Sequence, residues 1–124
     1  MTAELRYVLH GPPSRWKRTN EYRGRRITDA RMREAKAAHA GVALAHRPKR
    51  WVRTGAFELE VRVFLSTERK GDADNYGKLV ADALQGIAYE NDQQIADTIT
   101  RRRVDRVRPR TEVVLRRITL DEAA

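Results

Sequence analysis

Cysteine is absent from this sequence of 124 residues, which excludes a disulfide framework and any zinc site built on thiolates. Long apolar runs are also absent, since no stretch approaches the roughly 18 apolar residues of a membrane-spanning helix. The opening residues, MTAELRYVLHG, lack the apolar core of a secretory signal peptide. These absences predict a cytoplasmic protein that is not inserted in a membrane.

Acidic residues are outnumbered, because the sequence has 17 Asp and Glu against 26 Lys and Arg, a formal net charge of +9. Charged residues make up 35% of the chain and hydrophobic ones 40%, which predicts a small core under a heavily charged surface. At this length we expect a single domain over residues 1–124. Since cationic side chains displace counterions from phosphates, the charge balance favours a nucleic acid as partner. A basic surface that serves only solubility is the alternative.

Hydrophobic periodicity and chain-breaking residues predict elements in the order β-α-β-α-β-β. The strands are expected at residues 5–10, 57–65, 95–104 and 111–120. In the surest strand, apolar residues alternate with polar ones at Phe57, Leu59, Val61, Val63 and Leu65. The last two strands are interpreted as a closing pair. This order indicates an α+β fold in which two helices pack on a mixed sheet.

Capping and stop residues predict where the two helices begin and end. The first helix is expected over about residues 29–45, after a cap at Thr28 or Asp29. The second is expected to begin at a cap formed by Asp74 or Asn75 and to end at Gly86. In the second helix, an apolar stripe would face the sheet through Leu79, Val80, Ala83 and Leu84.

The three histidines are not expected to bind metal. His39 would share a face of the first helix with apolar neighbours, which is typical of a packed histidine rather than a ligand. His10 and His46 form no metal-binding spacing with it.

Residues 14–26 form a basic segment that contains two aromatic residues. Its cations are Arg15, Lys17, Arg18, Arg23, Arg25 and Arg26, and the aromatic residues are Trp16 and Tyr22. Such a mixture is typical of a loop that grips a nucleic-acid backbone and packs a ring against a base or sugar. A solvated loop around a partly buried tryptophan is equally compatible with the pattern.

Acidic residues are concentrated in one region, residues 72–97, which we call the acidic island. It holds six acids and one base, a local charge of −5, and leaves +14 for the rest of the chain. The acids are Asp72, Asp74, Asp82, Glu90, Asp92 and Asp97, and the base is Lys78. Like charges repel unless a counterion lies between them, so the island predicts a bound divalent cation.

The predicted ion is Mg²⁺, or Mn²⁺ in its place, because hard cations prefer carboxylate oxygens. Asp72 and Asp74 alternate along an extended chain, so both carboxylates should point the same way. Asp92 follows the second helix and could fold back to join them as a third ligand. A bound ion lowers the pKa of water and offsets charge on a phosphate, which indicates hydrolysis of a phosphodiester.

Lys78 is the base of the acidic island, and its spacing allows two roles. It lies one helical turn from both Asp74 and Asp82. It could extend toward the metal and a phosphate as a catalytic cation, or form an ordinary ion pair along the helix. Spacing alone favours neither role.

The island also carries a family signature. It resembles, in order and spacing, the signature of the RusA family of Holliday-junction resolvases, through Asp72-Ala-Asp74-Asn75, Lys78, Asp82-Ala-Leu84-Gln-Gly86 and Asn91-Asp92-Gln-Gln94-Ile95. The resemblance implies a Mg²⁺-dependent homodimeric endonuclease, often carried by phages and prophages. Such an enzyme resolves four-way DNA junctions by paired symmetric nicks during recombination and repair. The resemblance also implies that the catalytic residues are Asp72, Asp74 and Asp92, which bind metal, and Lys78.

Two positions depart from the family pattern. Asn91 stands where many relatives have a second acid, and Gly77 weakens the helix by about 1 kcal/mol relative to alanine. Neither removes a group to which the resemblance assigns catalysis. Asp82 occupies a recurrent family position, where a cap or an ion pair is at least as compatible as catalysis.

Candidate DNA contacts fall into three groups of cations. They are Arg15, Lys17, Arg18 and Arg23 in the basic segment, Arg69 and Lys70 beside the island, and Arg101 and Arg103 in a strand. Strand alternation places Arg102 on the opposite face from Arg101 and Arg103, so at most one of these two sets should contact DNA. Binding to DNA would associate the protein with the nucleoid.

Symmetric cutting of a junction has a consequence for assembly. Two cuts need two sites related by a two-fold axis, which agrees with a homodimer.

Two other interpretations of the sequence remain open. One is a non-catalytic, basic nucleic-acid-binding protein, and the other is a nuclease for other branched DNA or for RNA.

Overall fold

The computed structural model of the chain describes residues 3–17, 20–22, 25–27, 30–68 and 73–120. Its strands are β1 (Glu4–His10), β2 (Asn20–Tyr22), β3 (Arg25–Ile27), β4 (Ala56–Leu65), β5 (Ile95–Val104) and β6 (Arg110–Ile118). Its helices are α1 (Ala30–His46) and α2 (Asp74–Leu84), and a short 3₁₀ helix spans Asp92–Gln94. Apart from β2 and β3, the predicted order of strands and helices is confirmed, and so is the α+β class. Within the described ranges, no helix has the length and apolar character needed to cross a membrane.

Four strands form one mixed sheet in the order β1-β6-β4-β5. β4 lies between the last two strands, antiparallel to β6 and parallel to β5. A parallel pair needs a crossover connection, and α2 provides it between β4 and β5. The prediction that the last two strands form a closing pair is therefore wrong, because β6 pairs with β4 and β1 instead of β5.

A short hairpin begins in the basic segment and ends at Ile27, one residue beyond it. β2 and β3 pair antiparallel, with Asn20 opposite Ile27 and Tyr22 opposite Arg25. The interpretation of residues 14–26 as one loop is corrected for this part. Strands of three residues show too little alternation for sequence periodicity to reveal them.

One face of the sheet forms the core together with the two helices. All five predicted inward residues of β4 are buried, and so is the α2 stripe of Leu79, Val80, Ala83 and Leu84. α1 adds Ala43 to this core, and its Met32 and His39 are also buried. The period of two in β4 and the helical stripe of α2 therefore both face this core, as predicted.

The other side of the sheet, which we call the open face, carries charged side chains that form ion pairs, together with some apolar ones. Arg116 contacts Glu4 at 3.2 Å and Glu58 at 3.3 Å, and Arg62 contacts Glu60 at 3.1 Å. Glu60 is only 7% exposed. The Arg116 pairs join β6 to its neighbours β1 and β4, and the Arg62–Glu60 pair lies within β4, so charged residues that the alternation of β4 places away from the core have partners of opposite charge.

His39 is packed in the core, as predicted. It is 2% exposed, and its Nδ1 forms a hydrogen bond of 2.8 Å with the hydroxyl of Tyr7. The two rings meet edge to face with their centroids 5.7 Å apart. Burial lowers the pKa of His39 to about 4, so its ring is neutral at pH 7.

The start of α2 differs from the prediction. Its cap position is Ala73, which has helical backbone angles and no side-chain cap, so the predicted caps at Asp74 and Asn75 are wrong. Asp74 is the first residue of the helix, where its negative charge complements the positive end of the helix dipole. Gly86, with φ of +86°, follows the helix as the predicted stop. The predicted cap positions of α1, residues 28 and 29, lie outside the described residues.

Candidate active site

An open groove of about 400 Å³ lies between α2, the turn that follows it and the start of β5. It is lined by Asp74, Gly77, Lys78, Ala81, Asp92, Ile95 and Thr98. Three of the four predicted catalytic residues, Asp74, Lys78 and Asp92, therefore line one groove. The fourth, Asp72, lies outside the described residues.

α2 positions two of these side chains. Asp74 and Lys78 are four residues apart, so they lie one above the other on one side of the helix. The opposite side of the helix is buried through Leu79, Val80 and Leu84, which are at most 1% exposed. Burial of this stripe sets the rotation of α2 about its axis, and that rotation directs Asp74 and Lys78 into the groove.

Gly77 allows α2 to pack directly on β5. A Cβ atom at this position would lie 2.5 Å from Thr100 Oγ1 and 3.2 Å from Thr98 Cγ2. Both distances are shorter than a normal contact, so any larger residue would push the helix away from the strand. The glycine that weakens helix propensity in the sequence is thus explained by close packing beside the groove.

Gly77→Ala should therefore lower the free energy of unfolding by about 1–2 kcal/mol, because the cost of overpacking exceeds the gain of about 1 kcal/mol in helix propensity. Gly41→Ala in α1 is the matched control, since a Cβ there meets nothing within 4 Å. This control should stabilise the protein by about 1 kcal/mol. Urea denaturation measures both changes. Stabilisation by Gly77→Ala would contradict the close approach of α2 and β5.

The turn after α2 carries Asp92 and is fixed by the segment that precedes β4. The indole Nε1 of Trp51 donates to the carbonyl oxygen of Ala88 at 2.7 Å. Arg47 donates to the carbonyl oxygen of Ile87 at 2.9 Å, which adds a second attachment. Ala88 is fully buried. The start of the turn that carries Asp92 is therefore part of the packed structure.

Gln94 completes the support of Asp92. Its side-chain carbonyl accepts hydrogen bonds from the backbone N–H groups of Glu90 and Asn91, both at 2.9 Å. Its amide nitrogen donates to the carbonyl oxygens of Arg53 and Gly55, also at 2.9 Å. One side chain thus ties the Asp92 turn to the start of β4.

Asn91, one of the two positions that depart from the expected family pattern, caps the 3₁₀ helix that begins at Asp92. Its Oδ1 accepts a hydrogen bond of 2.8 Å from the backbone N–H of Gln93. Asparagine and aspartate cap helices about equally well. Residue 91 therefore caps the 3₁₀ helix, a structural role that asparagine fills without a carboxylate.

The buried phenol of Tyr89 is influenced by two acids of the acidic island. It is fully buried, and its hydroxyl donates to the carbonyl oxygen of Ala81 at 2.5 Å. Burial raises the pKa of Tyr89 well above its ordinary value, and the carboxylates of Asp92 and Asp82 raise it further. Both acids are therefore close enough to act on the same phenol.

Asp82 and Lys78 have different partners. The carboxylate of Asp82 lies 3.6 Å from Nζ of Lys36 in α1, and Asp82 does not line the groove. This pairing favours a structural role for Asp82 in joining the helices. Nζ of Lys78 instead lies 3.4 Å from the ring centroid of Trp16, in the geometry of a cation–π contact.

The predicted DNA contacts occupy different surfaces. Arg15 and Lys17 line a hollow of about 260 Å³ together with Arg31 of α1, which was not among the predicted DNA contacts. Arg31 lies in the first turn of α1, where no sequence pattern distinguishes it from other surface arginines. The remaining members of the first two groups, Arg18, Arg23, Arg69 and Lys70, lie outside the described residues.

Alternation in β5 separates its arginines into two sets. Arg101 lies opposite Arg62 and Arg103 opposite Phe64, so both are on the open face. Arg102 shares its side of the strand with Thr98 and Thr100, which face α2 and the groove. Arg101 and Arg103 therefore point away from the groove. Of these three arginines, Arg102 lies on the side of β5 that faces the groove.

The groove residues suit a hard divalent cation. Asp74 and Asp92 provide carboxylate oxygens at an open surface, and Mg²⁺ commonly binds one or two carboxylates together with water and substrate phosphate. Among the described residues, no group of three or more His, Cys, Asp or Glu side chains could hold a metal ion. The predicted third ligand, Asp72, is outside that part of the chain. The carboxylate oxygens of Asp74 and Asp92 are chemically suitable ligands for Mg²⁺.

Most of the chain, including the groove, matches the model of a known protein family. A family model described as Endodeoxyribonuclease RusA matches residues 10–116. The matched span contains the whole groove, both helices and the strands from β2 to β5, together with most of β6. No curated protein matches the sequence at a significant level.

Proposed function

The chain belongs to the RusA family of endodeoxyribonucleases, and we propose that it resolves four-way DNA junctions by hydrolysing a phosphodiester on each of two strands. Family membership implies a Holliday-junction resolvase activity. The observation that carries the proposal for this chain is the groove, where Asp74, Lys78 and Asp92 meet. A local concentration of acid inside a chain of net charge +9 suits a site that attracts DNA and holds a cation.

The groove residues have distinct roles in this proposal. Asp74 and Asp92, with Asp72, would hold Mg²⁺ or Mn²⁺. When bound, the ion would offset negative charge on the phosphate and lower the pKa of an adjacent water. Lys78 would donate hydrogen bonds to a non-bridging phosphate oxygen, where an ammonium group stabilises charge that develops in the transition state.

The basic residues outside the groove would hold the DNA backbone. Arg15 and Lys17 line a cationic hollow and are candidates for phosphate contacts, and Arg18, Arg23, Arg69 and Lys70 remain candidates from their sequence position. Arg101 and Arg103 lie on the open face, so their contact with DNA would require a duplex arm that passes around the edge strand β5. Two copies of the chain related by a two-fold axis would place two grooves on one junction.

The proposal is tested with purified protein and a labelled four-way junction, in Mg²⁺, in Mn²⁺ and in EDTA. We expect paired, symmetric nicks with either metal and none in EDTA, while linear duplex is cut at least about tenfold more slowly. Flaps, replication forks and an RNA junction complete the substrate panel. Analytical ultracentrifugation of the protein, alone and with the junction, measures whether it is a dimer.

Two results would contradict the proposal. Binding of the junction without nicking in any metal would favour a non-catalytic nucleic-acid-binding protein. Faster cutting of flaps, forks or RNA would favour a nuclease of different substrate selectivity.

A further inference from the structure

Trp16 is attached to α2 by two contacts, one of them with Lys78, which lines the groove. Nζ of Lys78 lies 3.4 Å from the centroid of its ring. Its backbone N–H donates to the carbonyl oxygen of Asn75 at 2.9 Å. The next residue, Lys17, contacts α1 through a backbone N–H that lies 3.4 Å from Sδ of Met32. The aromatic ring is therefore held in place by backbone contacts on both sides of it.

We propose that Trp16 is a positioning residue that holds the ammonium group of Lys78 at the groove. A lysine side chain has four flexible carbons, and an ammonium that is not held samples many positions. An aromatic ring attracts the cation to its face and restricts it there, while the three N–H donors of the ammonium also allow contacts away from the ring. The inference rests on the proposed function, in which Lys78 acts on phosphate.

The contact also explains why the basic segment carries a tryptophan. The sequence pattern suggests a ring that packs against a base or sugar, but one face of the Trp16 ring is covered by Lys78. The residues on either side, Arg15 and Lys17, line the cationic hollow. The same short segment would thus place both phosphate-binding cations and the ring that positions Lys78.

The first test is independent of activity. Protons near the face of an aromatic ring resonate upfield, so the ¹H–¹³C correlation from the ε-methylene of Lys78 should be displaced upfield in the free protein. The chain has five lysines, so this correlation can be assigned by its loss in Lys78→Arg. Trp16→Leu should return it to the ordinary lysine position, and Trp16→Phe should retain most of the displacement.

The second test separates turnover from binding on the four-way junction in Mg²⁺. Trp16→Leu should lower kcat by about tenfold, because misplacing a catalytic group costs this much or more, with KM and junction affinity within about twofold of wild type. Trp16→Phe should recover kcat to within about threefold. Phe64→Leu is the matched control, since it removes a second contact of this kind among the described residues, with Arg110 at 3.8 Å, on the open face. Its kcat should be unchanged.

Each contrary result has a specific meaning. An unmoved Lys78 resonance in Trp16→Leu, or full kcat in that variant, would overturn the inference. Equal losses of affinity and kcat would overturn it as well, because they would make Trp16 a direct DNA contact. Failure of the proposed function would be recognised separately, since the wild-type protein itself would then leave the junction uncut.

Discussion

Asp74→Asn should abolish nicking of a four-way junction, with a loss of about a thousandfold or more, and leave the junction bound as tightly as before or more tightly. The change removes a carboxylate that lines the groove, and with it the charge that would hold a divalent cation. It leaves the basic surface intact and adds one unit to the positive charge of the chain, which favours binding to DNA. Nicking in Mg²⁺ and gel-shift binding in EDTA measure the two effects.

Asp97→Asn provides the matched control for this loss. Asp97 belongs to the same acidic island, and its substitution changes the net charge by the same amount. Asp97 lies opposite Glu58 on the open face of the sheet, however, and not in the groove. Its nicking rate should stay within about twofold of wild type. Asp92→Asn should reproduce the loss caused by Asp74→Asn, because both carboxylates line the groove. A folded Asp74→Asn protein that loses binding and cleavage equally would contradict the assignment.

The free energy of unfolding should fall by about 3 kcal/mol as the pH is lowered from 7 to 4, because His39 is buried in its neutral form. The pKa of His39 is about 4 in the folded protein against an ordinary value of 6.5. Between these values the unfolded chain binds a proton at His39 that the folded protein does not. Stability is therefore fully present above pH 6.5 and is lost as the pH falls toward 4. Urea denaturation at half-unit intervals of pH measures the slope.

Two histidine variants separate this effect from general acid denaturation. His39→Gln should remove most of the slope between pH 6.5 and 4.5, because its side chain binds no proton in this range. His46→Gln, at the exposed end of α1, should retain it. Carboxylates such as Glu4 and Asp105, whose pKa values are lowered by hydrogen bonds to arginine and to backbone N–H groups, lose their contribution below their ordinary values of 4.5 and 3.8. A wild-type stability that is flat from pH 7 to 4.5 would contradict a neutral, buried His39.

The elements of this fold were predictable where a pattern is local and long. β4 alternates from Phe57 to Val63, and α2 carries an apolar stripe, so the burial of both was predicted correctly. β2 and β3 are three residues each and show no usable period. The start of α2 was misplaced by the cap rule, because Ala73 adopts helical angles without a side-chain cap and Asp74 lies inside the first turn.

Contacts between distant residues explain the features of the groove that were not predictable. The partner of Asp82 is Lys36, which is 46 positions earlier in the chain, so its ion pair could not be inferred from spacing within α2. The face of Arg102 depends on the pairing of β5 with β4, and the need for Gly77 depends on Thr98 and Thr100 in β5. The contact between Trp16 and Lys78 joins two segments that are distant in sequence, and no local pattern in either segment predicts it.

The sequence by itself determined the α+β order, the division of β4 and α2 into buried and polar sides, and the set of acidic residues that make up the island. These follow from the spacing of residues that are close in the chain, which sets side-chain direction in a strand or helix. Only the tertiary structure decided that β4 separates β5 from β6, that Asp74, Lys78 and Asp92 line one groove, and which arginines share its side. Those outcomes depend on strand pairing and helix packing between residues far apart in sequence, which no local pattern encodes.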